Sequence, residues 1–338
     1  MLINRRKVLK STAALAMLPV TRAIATPAHA AEFVYKFGNN VPDAHPTNVA
    51  MRKAAERIRQ DSSGRLEVQL FPNNQLGGDT DMMSQVRSGA LEFYMLSPLV
   101  GATLVPPAAI SGVGFAFPNY DVLWSAMDGD LGAFVRAELR KVGLVASQKI
   151  WDNGFRQMTS SLKPIRAPED IKGFKIRVPV SPMWTSLFKA LGTAPTAINF
   201  AELYSALQTK VVDGQENPLS IIQFGKLYEV QKYCAFTNHM WDGFWFVSNQ
   251  KQWDRLPKDL QEVVNRNIEI AVQEQRSEIR RLNESLRGEL ETRGMVFNDV
   301  DRAAFRAGLT KAGFYGEWRS KFGKEAWDLL QKYSGELA

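Results

Sequence analysis

The chain has 338 residues, of which 45% are hydrophobic and 23% are charged, so it is neither disordered nor fibrous and can bury a sizeable core. Its formal net charge is +7, but the first thirty residues hold five lysines and arginines and no acid, which leaves +2 on the remainder. A nearly neutral remainder lacks the basic face that a phosphate backbone requires, so we expect no nucleic-acid partner.

The residue pattern of segment 1–30 indicates a signal peptide. A basic start precedes a short apolar run over residues 13–20, and Ala28-His29-Ala30 is a small-x-small cleavage site. Arg5-Arg6 and the Leu-Lys pair after it resemble a twin-arginine signal, with the general secretory route as the alternative. The apolar run is shorter than the ~20 residues of a membrane span, so we predict an exported, periplasmic protein without a helical or lipid anchor.

Strand and helix patterns alternate after residue 30, which predicts α/β architecture with mostly parallel sheets. The segment 93–120 carries no charge and is interrupted by four prolines and three glycines. Buried strands joined by turns are therefore predicted there rather than a membrane helix. The predicted strands are 33–38, 65–71, 91–96 and 172–179, and the predicted helices are 46–61, 79–88 and 202–208.

A longer helix is predicted from Pro257, at a first-turn position, to Gly294, as a C-terminal stop. Such a helix would be about 55 Å long at ~1.5 Å per residue, which exceeds the width of a small domain. We expect it to cross from one lobe to another or to kink midway. A coiled-coil dimer arm is the alternative, although the apolar stripe does not keep strict heptads.

The chain after residue 30 offers few groups for catalysis. It keeps only His45, His239 and Cys234 among the histidines and cysteines, and it carries no Walker, dinucleotide-binding or nucleophile-elbow pattern. Both histidines are predicted to cap or pack. We predict no catalytic residue, no metal and no cofactor, although an enzyme built from carboxylates alone stays open.

Arg177 lies in the strand pattern Phe174-Lys175-Ile176-Arg177-Val178-Pro179, on the face opposite the apolar side chains. An arginine fork can give a carboxylate two parallel charge-assisted hydrogen bonds. From the residues alone, an ordinary surface or ion-pair arginine is the favoured interpretation.

Two segments carry a family resemblance, Pro-Glu-Asp-Ile-Lys-Gly-Phe-Lys-Ile-Arg-Val-Pro at 168–179 and Ala-Leu-Gln-Thr-Lys-Val-Val-Asp-Gly-Gln-Glu-Asn-Pro at 206–218. They resemble the signature of the TRAP transporter solute-binding proteins of the DctP type. Further matching segments follow in the same order, at 71–78, 153–157, 199–204 and 226–233. The resemblance covers essentially the whole chain after the signal peptide.

The resemblance implies a two-lobed, Venus-flytrap fold of the periplasmic binding proteins, with strands that cross a hinge and one long helix that spans both lobes. The lobes would comprise residues 31–154 with 243–282, and 155–242 with 283–338. The implied function is capture of a small organic acid and its delivery to an ion-gradient-driven permease with a small and a large membrane subunit. An enzyme is not implied.

The resemblance also implies site residues. Arg177 matches the family's selectivity arginine, which forms a bidentate salt bridge with the ligand carboxylate. Arg156 matches a second, supporting arginine, Asn217 matches the amide that completes the clamp, and Phe200 matches a ring that lines the pocket.

The other ligand contacts are predicted less directly. Asn40, Asp79 and Ser97 occupy first-lobe positions that vary with substrate, and Trp241 is the tryptophan favoured for the pocket among Trp151, Trp184, Trp241 and Trp245. The favoured ligand is a sugar acid such as a uronate or aldonate, followed by aromatic or branched hydroxy or oxo acids and by four-carbon dicarboxylates. An ABC-type binding protein, a periplasmic enzyme acting on carboxylates and a signalling role remain alternatives, and the oligomeric state stays open.

Overall fold

The computed structural model describes residues 30–337, so the predicted signal peptide lies outside the described residues apart from Ala30. The strands are β1 Phe33–Gly38, β2 Leu66–Phe71, β3 Phe93–Leu96, β4 Leu144–Ala146, β5 Trp151–Ser160, β6 Lys175–Val178, β7 Ala194–Ala197, β8 Gly214–Pro218, β9 Tyr233–Ala235, β10 Trp241–Asn249 and β11 Val296–Asn298. The helices are α1 Pro46–Asp61, α2 Asp79–Ser88, α3 Pro98–Gly101, α4 Tyr120–Met127, α5 Asp130–Lys141, α6 Pro182–Ala190, α7 Phe200–Gln208, α8 Leu219–Phe224, α9 Gln250–Arg255, α10 Lys258–Thr292, α11 Arg302–Lys311, α12 Phe314–Phe322 and α13 Lys324–Ser334. Short 3-10 helices cover Pro106–Gly112, Pro168–Ile171 and Leu227–Glu229.

Local sequence accounts for how the first helix begins. The ring of His45 caps α1 by accepting a hydrogen bond from the Thr47 backbone N–H at 3.3 Å, and Pro46 occupies the first helical position. Burial lowers the pKa of His45 to about 3, so the ring stays neutral. The predicted capping role of His45 is confirmed.

The strands form one continuous sheet in the order β2-β1-β3-β10-β5-β8-β6-β7, with β4 added to β10, β9 added to β5 and β11 added to β9. One half of the sheet contains β1, β2 and β3, and the other contains β6, β7 and β8. The pairings β1–β2 and β1–β3 in the first half, and β6–β7 and β6–β8 in the second, are parallel. The central strands β10 and β5 pair antiparallel to each other and to their neighbours. The sheet is therefore mixed, because the long strands β5 and β10 that join its halves pair antiparallel with their neighbours. The sequence had predicted mostly parallel pairing.

Strands β5 and β10 each belong to both halves of the sheet. β10 pairs with β3 and β4 through residues 245–249 and with β5 through residues 241–244. The register slips by one residue between Asp242 and Gly243, which makes Asn153 the extra residue of a β-bulge. A Cβ on Gly243 would lie 2.3 Å from the Trp241 ring, so this crossing needs glycine.

Helix α10 is continuous over 35 residues, about 52 Å at ~1.5 Å per residue. Leu260, Val264 and Ile268 in its first half join the hydrophobic cluster that covers β1, β3 and β10. Leu286 and Leu290 near its end join the cluster beneath α7 and α8. The long helix predicted from sequence is confirmed, and it packs on both halves of the sheet.

The uncharged segment 93–120 differs from the prediction of several strands. It holds one strand, β3, and the residues beyond β3 form α3 and the 3-10 helix Pro106–Gly112. Leu99, Ala109 and Ile110 are buried in the largest hydrophobic cluster, so core burial rather than strand pairing explains the missing charge. Among the described residues, no helix combines the length and the apolar character that a membrane span needs.

Candidate functional site

A cavity lies where the crossing strands meet the ends of β1, β3, β6 and β8. The space between its walls, part of which is open to solvent, is about 380 Å³. The fold brings seven of the eight predicted site residues to it, Asn40, Asp79, Ser97, Arg156, Arg177, Phe200 and Asn217. Its remaining lining residues are Val100, Asn153, Pro179, Ile221, Asp242 and Phe244.

Arg177 of β6 lines this cavity as a buried cation with most of its donors free. Its side chain is 1% exposed, and its Nε donates to the Ile198 carbonyl oxygen at 2.8 Å. Within residues 30–337, neither of its Nη atoms has a hydrogen-bond or ion-pair partner. Burial and the nearby Arg156 charge lower the pKa of Arg177 to about 10. Four N–H groups are thus available for an anion.

Arg156 of β5 is, by contrast, held by protein carboxylates. Its Nε and one Nη donate to the two Glu216 side-chain oxygens at 2.5 and 2.7 Å. The same Nη donates to the Glu216 carbonyl oxygen at 2.6 Å, and the other donates to Asp242 at 3.2 Å. Four of its five N–H groups are therefore used, and one remains for a ligand.

Glu216 is fully buried and is compensated on two sides. Burial raises its pKa, but Arg156 and a 3.1 Å contact with His239 Nε2 outweigh this effect, so the net shift is downward. His239 Nδ1 lies 2.8 Å from the Thr237 hydroxyl, and burial keeps the pKa of the ring below its ordinary value. A neutral His239 that donates from Nε2 and accepts at Nδ1 satisfies both contacts. The predicted packing role of this histidine is confirmed, and the ring also supports the Arg156 ion pair.

Asp242 of β10 joins the arginine pair to the other half of the sheet. Its carboxylate accepts hydrogen bonds from Ser97 Oγ at 3.2 Å and from Asn153 Nδ2 at 2.9 Å, as well as from Arg156. Burial raises the pKa of Asp242 to about 6 despite these partners. The Asn153 Oδ1 is buried without a partner among the described residues, and Asn153 is one of the residues that line the cavity.

Asp79 lies where two helix N-termini face each other. It is the first residue of α2, and the Phe200 backbone N–H at the start of α7 also faces its carboxylate. Asn40 Nδ2 donates to it at 2.8 Å and the Tyr94 hydroxyl donates at 3.2 Å. Burial raises the pKa of Asp79, and these hydrogen bonds and the charge of Arg177 oppose that rise. The carboxylate is fixed in place and lines the cavity.

The helix starts of α2 and α7 also touch beside the cavity. Asn199 Nδ2 donates to Thr80 Oγ1 at 3.2 Å. Gly78, the N-cap of α2, lies so close that a Cβ there would be 3.2 Å from Asn199 Cγ. The N-termini of α2 and α7 are thus in close contact beside the cavity. Phe200, which follows Asn199, presents its ring 6.0 Å from the Arg177 guanidinium.

The structure does not bring Trp241 to the cavity. Its indole Nε1 donates to Asp152 at 2.8 Å, and its ring packs edge-on against Trp124. Trp151, Trp184 and Trp245 are also buried in the core, and Trp184 covers the Arg156 guanidinium at 4.9 Å. The cavity wall is built from polar side chains and smaller apolar ones rather than from tryptophan rings.

Sequence reasoning missed Asn153, Asp242 and Glu216. Glu216 directly precedes Asn217 in the sequence motif. Its position next to the predicted clamp amide could have indicated an acid that pairs with Arg156. The bulge between β5 and β10 brings Asn153 and Asp242 together, and no local sequence pattern indicates that bulge. No cluster of three or more metal-ligating side chains occurs among residues 30–337.

A family model described as bacterial extracellular solute-binding protein, family 7, the DctP family, matches residues 37–313. The chain belongs to this family. Members of the DctP family are periplasmic binding proteins rather than enzymes.

Two relatives each match more than three quarters of this chain. The chain is 30% identical over 275 residues to the 2,3-diketo-L-gulonate-binding periplasmic protein YiaO of Escherichia coli, which covers 81% of this chain and 84% of YiaO. Its 37% identical match to protein y4mM of Sinorhizobium fredii covers 77% of this chain and 48% of that protein.

Two crystal structures of binding proteins share the fold. The sugar acid binding protein DctPAm of Advenella mimigardefordensis, in complex with galactonate, is 31% identical with a TM-score of 0.86, over 90% of this chain and 98% of that one. A TRAP periplasmic solute-binding protein of Sulfurospirillum deleyianum with bound succinate is 30% identical with a TM-score of 0.84, over 90% and 99%. The predicted two-lobed DctP fold and the predicted family are thereby confirmed.

Proposed function

We propose that this DctP-family chain captures a small organic acid with one carboxylate, in particular a sugar acid such as a uronate or aldonate. The observation that carries this proposal is Arg177, a buried guanidinium at the cavity wall whose Nη groups have no partner within residues 30–337. A buried charge without a directly bonded counterion is costly, and an anionic ligand supplies that bonded partner.

The four cavity residues with matching family positions have distinct proposed roles. The two Nη groups of Arg177 bind the two carboxylate oxygens side by side, and Arg156 adds its one free N–H. The Asn217 amide completes this clamp, and the Phe200 ring closes its apolar side. Burial strengthens the charge-assisted bonds, provided that every donor is paired.

The other side of the cavity favours hydroxyl groups over a second carboxylate. Asp79 and Asp242 both line it, and each would repel another anion placed against it. Asn40, Ser97 and Asn153 add amide and hydroxyl groups that suit a polyhydroxylated chain or ring. DctPAm with galactonate supports a sugar acid, and the Sulfurospirillum protein with succinate makes a four-carbon dicarboxylate the second candidate.

We assign the lobes as residues 31–154 with 243–282 and residues 155–242 with 283–338. The switch in pairing partners along β5 and β10 supports a hinge at these strands. In this mechanism the open protein binds the carboxylate at Arg177, and the first lobe then closes until α2 meets α7. The shift toward the closed form is limited by how much more tightly the acid binds the closed form than the open form.

The partner proposed for the loaded protein is a TRAP permease with a small and a large membrane subunit. The family and the TRAP-type neighbours support this partner. Export by the twin-arginine route remains part of the proposal and rests on the Arg5-Arg6 pair. We also propose that the chain has no enzymatic activity, so a bound acid should be recovered unchanged after incubation, which mass spectrometry tests.

The ligand test is a thermal-shift and calorimetric panel on protein that has been unfolded and refolded to strip copurified acid. Galactonate, galacturonate and glucuronate should raise the melting temperature by mass action, and neutral galactose should not. Tighter binding of succinate than of every sugar acid would make the dicarboxylate the correct class. Binding of galactose as tightly as galactonate would contradict the carboxylate clamp.

A further inference from the structure

A chain of hydrogen-bonded side chains runs from the cavity wall into the interior behind β8. Asn217 Nδ2 donates to Gln215 Oε1 at 2.5 Å, and Gln215 Nε2 donates to Thr159 Oγ1 at 2.9 Å. Thr159 Oγ1 donates in turn to Gln231 Oε1 at 2.7 Å. Gln231 Nε2 ends the chain by donating to the Val230 carbonyl oxygen at 2.8 Å. All four side chains are buried, and only Asn217 reaches the cavity.

The direction of these hydrogen bonds is set at the inner end. A backbone carbonyl can only accept, so Gln231 must turn Nε2 toward it and present Oε1 to Thr159. The Thr159 hydroxyl has one proton, and its contact with Gln231 is shorter than its 3.4 Å contact with the Gln215 carbonyl oxygen. Thr159 therefore accepts from Gln215 Nε2, which leaves Gln215 Oε1 facing Asn217.

We infer that Gln215, Thr159 and Gln231 are positioning residues that hold the Asn217 amide in one orientation for the bound carboxylate. A free asparagine side chain can turn its amide by 180° and exchange its donor and acceptor. With Nδ2 held against Gln215, the second Nδ2 hydrogen and Oδ1 keep fixed places at the cavity. This inference rests on the proposed function, in which Asn217 belongs to the carboxylate clamp.

Thr159 allows a matched test because it lies outside the cavity wall, valine has its shape, and serine keeps its hydroxyl. Thr159→Val removes the hydroxyl from the middle of the chain, and Thr159→Ser retains it. Gln231→Met breaks the same chain at its inner end and serves as the second variant if Thr159→Val does not fold.

The first readout needs no ligand. In a ¹⁵N–¹H spectrum, the two Nδ2 protons of Asn217, assigned by their absence in Asn217→Asp, should exchange slowly with solvent in the wild type. We expect exchange at least tenfold faster in Thr159→Val and in Gln231→Met, and wild-type exchange in Thr159→Ser. Wild-type chemical shifts and exchange of these protons in both broken variants would overturn the inference.

The second readout is calorimetric affinity for galactonate, glucuronate and succinate. For each acid that the wild type binds, Thr159→Val should lower the affinity about tenfold, which is the effect of one hydrogen bond to a charged group. The affinity of Thr159→Ser should stay within twofold of the wild type. A lower melting temperature in Thr159→Val with unchanged affinity and amide exchange would mean a purely structural role and would refute the positioning role. If the wild type binds none of the three acids, the proposed ligand class fails, and the amide exchange still decides this inference.

Discussion

Replacing Arg177 by methionine separates ligand binding from folding. Methionine keeps the unbranched stem of the side chain as far as Nε but removes the charge and the Nη groups that have no partner among the described residues. Two charge-assisted hydrogen bonds to a carboxylate are worth about 3–6 kcal/mol together. The affinity for the acid should therefore fall by about 10²- to 10⁴-fold in calorimetric titration.

Ligand-free Arg177→Met should be at least as stable as the wild type, although it binds the acid more weakly. Lowering the pKa of a buried arginine from 12.5 to about 10 disfavours the charged form in the folded state by about 3 kcal/mol, and that cost is present throughout the pH range below 10. Removing the charge relieves the cost but loses the Ile198 hydrogen bond, so we expect an unfolding free energy equal to or above that of the wild type in urea titration.

Arg156→Met is the matched control. Removing Arg156 leaves Glu216 and Asp242 as buried carboxylates without their cation, so this variant should lose about 3–5 kcal/mol of unfolding free energy. The reasoning fails if Arg177→Met is destabilised as much as Arg156→Met. It also fails if Arg177→Met binds within tenfold of the wild type.

Two further predictions concern pH and closure. Burial raises the pKa of Asp242 to about 6, so its contribution to stability is complete below about pH 4 and is lost as the pH rises through 6. In urea titrations, the unfolding free energy of the wild type minus that of Asp242→Asn should therefore fall between pH 4 and 6, and a constant difference would contradict this assignment. Gly78→Ala places a Cβ 3.2 Å from Asn199 Cγ, so the acid should dissociate several-fold faster in stopped-flow experiments, with little change in the ligand-free melting temperature. Gly316→Ala, where a Cβ meets nothing within 4 Å, should keep the wild-type rate, and equal rates in all three proteins would show that the α2–α7 contact does not retain the acid.

The sequence predicted those parts of the site that depend on short segments. Arg177 and Asn217 lie in continuous motifs, and the strand pattern around Arg177 already separated its face from the apolar one. The long helix was predictable for the same reason, because caps and apolar spacing are local signals.

The remaining parts depend on pairing between distant segments. Trp241 and Asp242 are neighbours on β10, and successive strand residues point to opposite faces, so only the register with β5 decides which one reaches the cavity. The bulge at Asn153 then places its amide 2.9 Å from the Asp242 carboxylate, across 89 positions of the chain. A one-residue difference in register is invisible in the sequence and reverses which side chain faces a ligand.

The two buried arginines show how the fold divides folding from binding. Arg156 is neutralised inside the protein by Glu216 and Asp242, and its removal would leave charges that water cannot reach. Arg177 has no such carboxylate partner among the described residues, so part of the folding free energy is spent on keeping its charge buried. An acid that pairs with Arg177 recovers this energy on binding, whereas a neutral sugar of the same shape cannot. Selection for an anion therefore follows from leaving one of two neighbouring arginines without a bonded carboxylate.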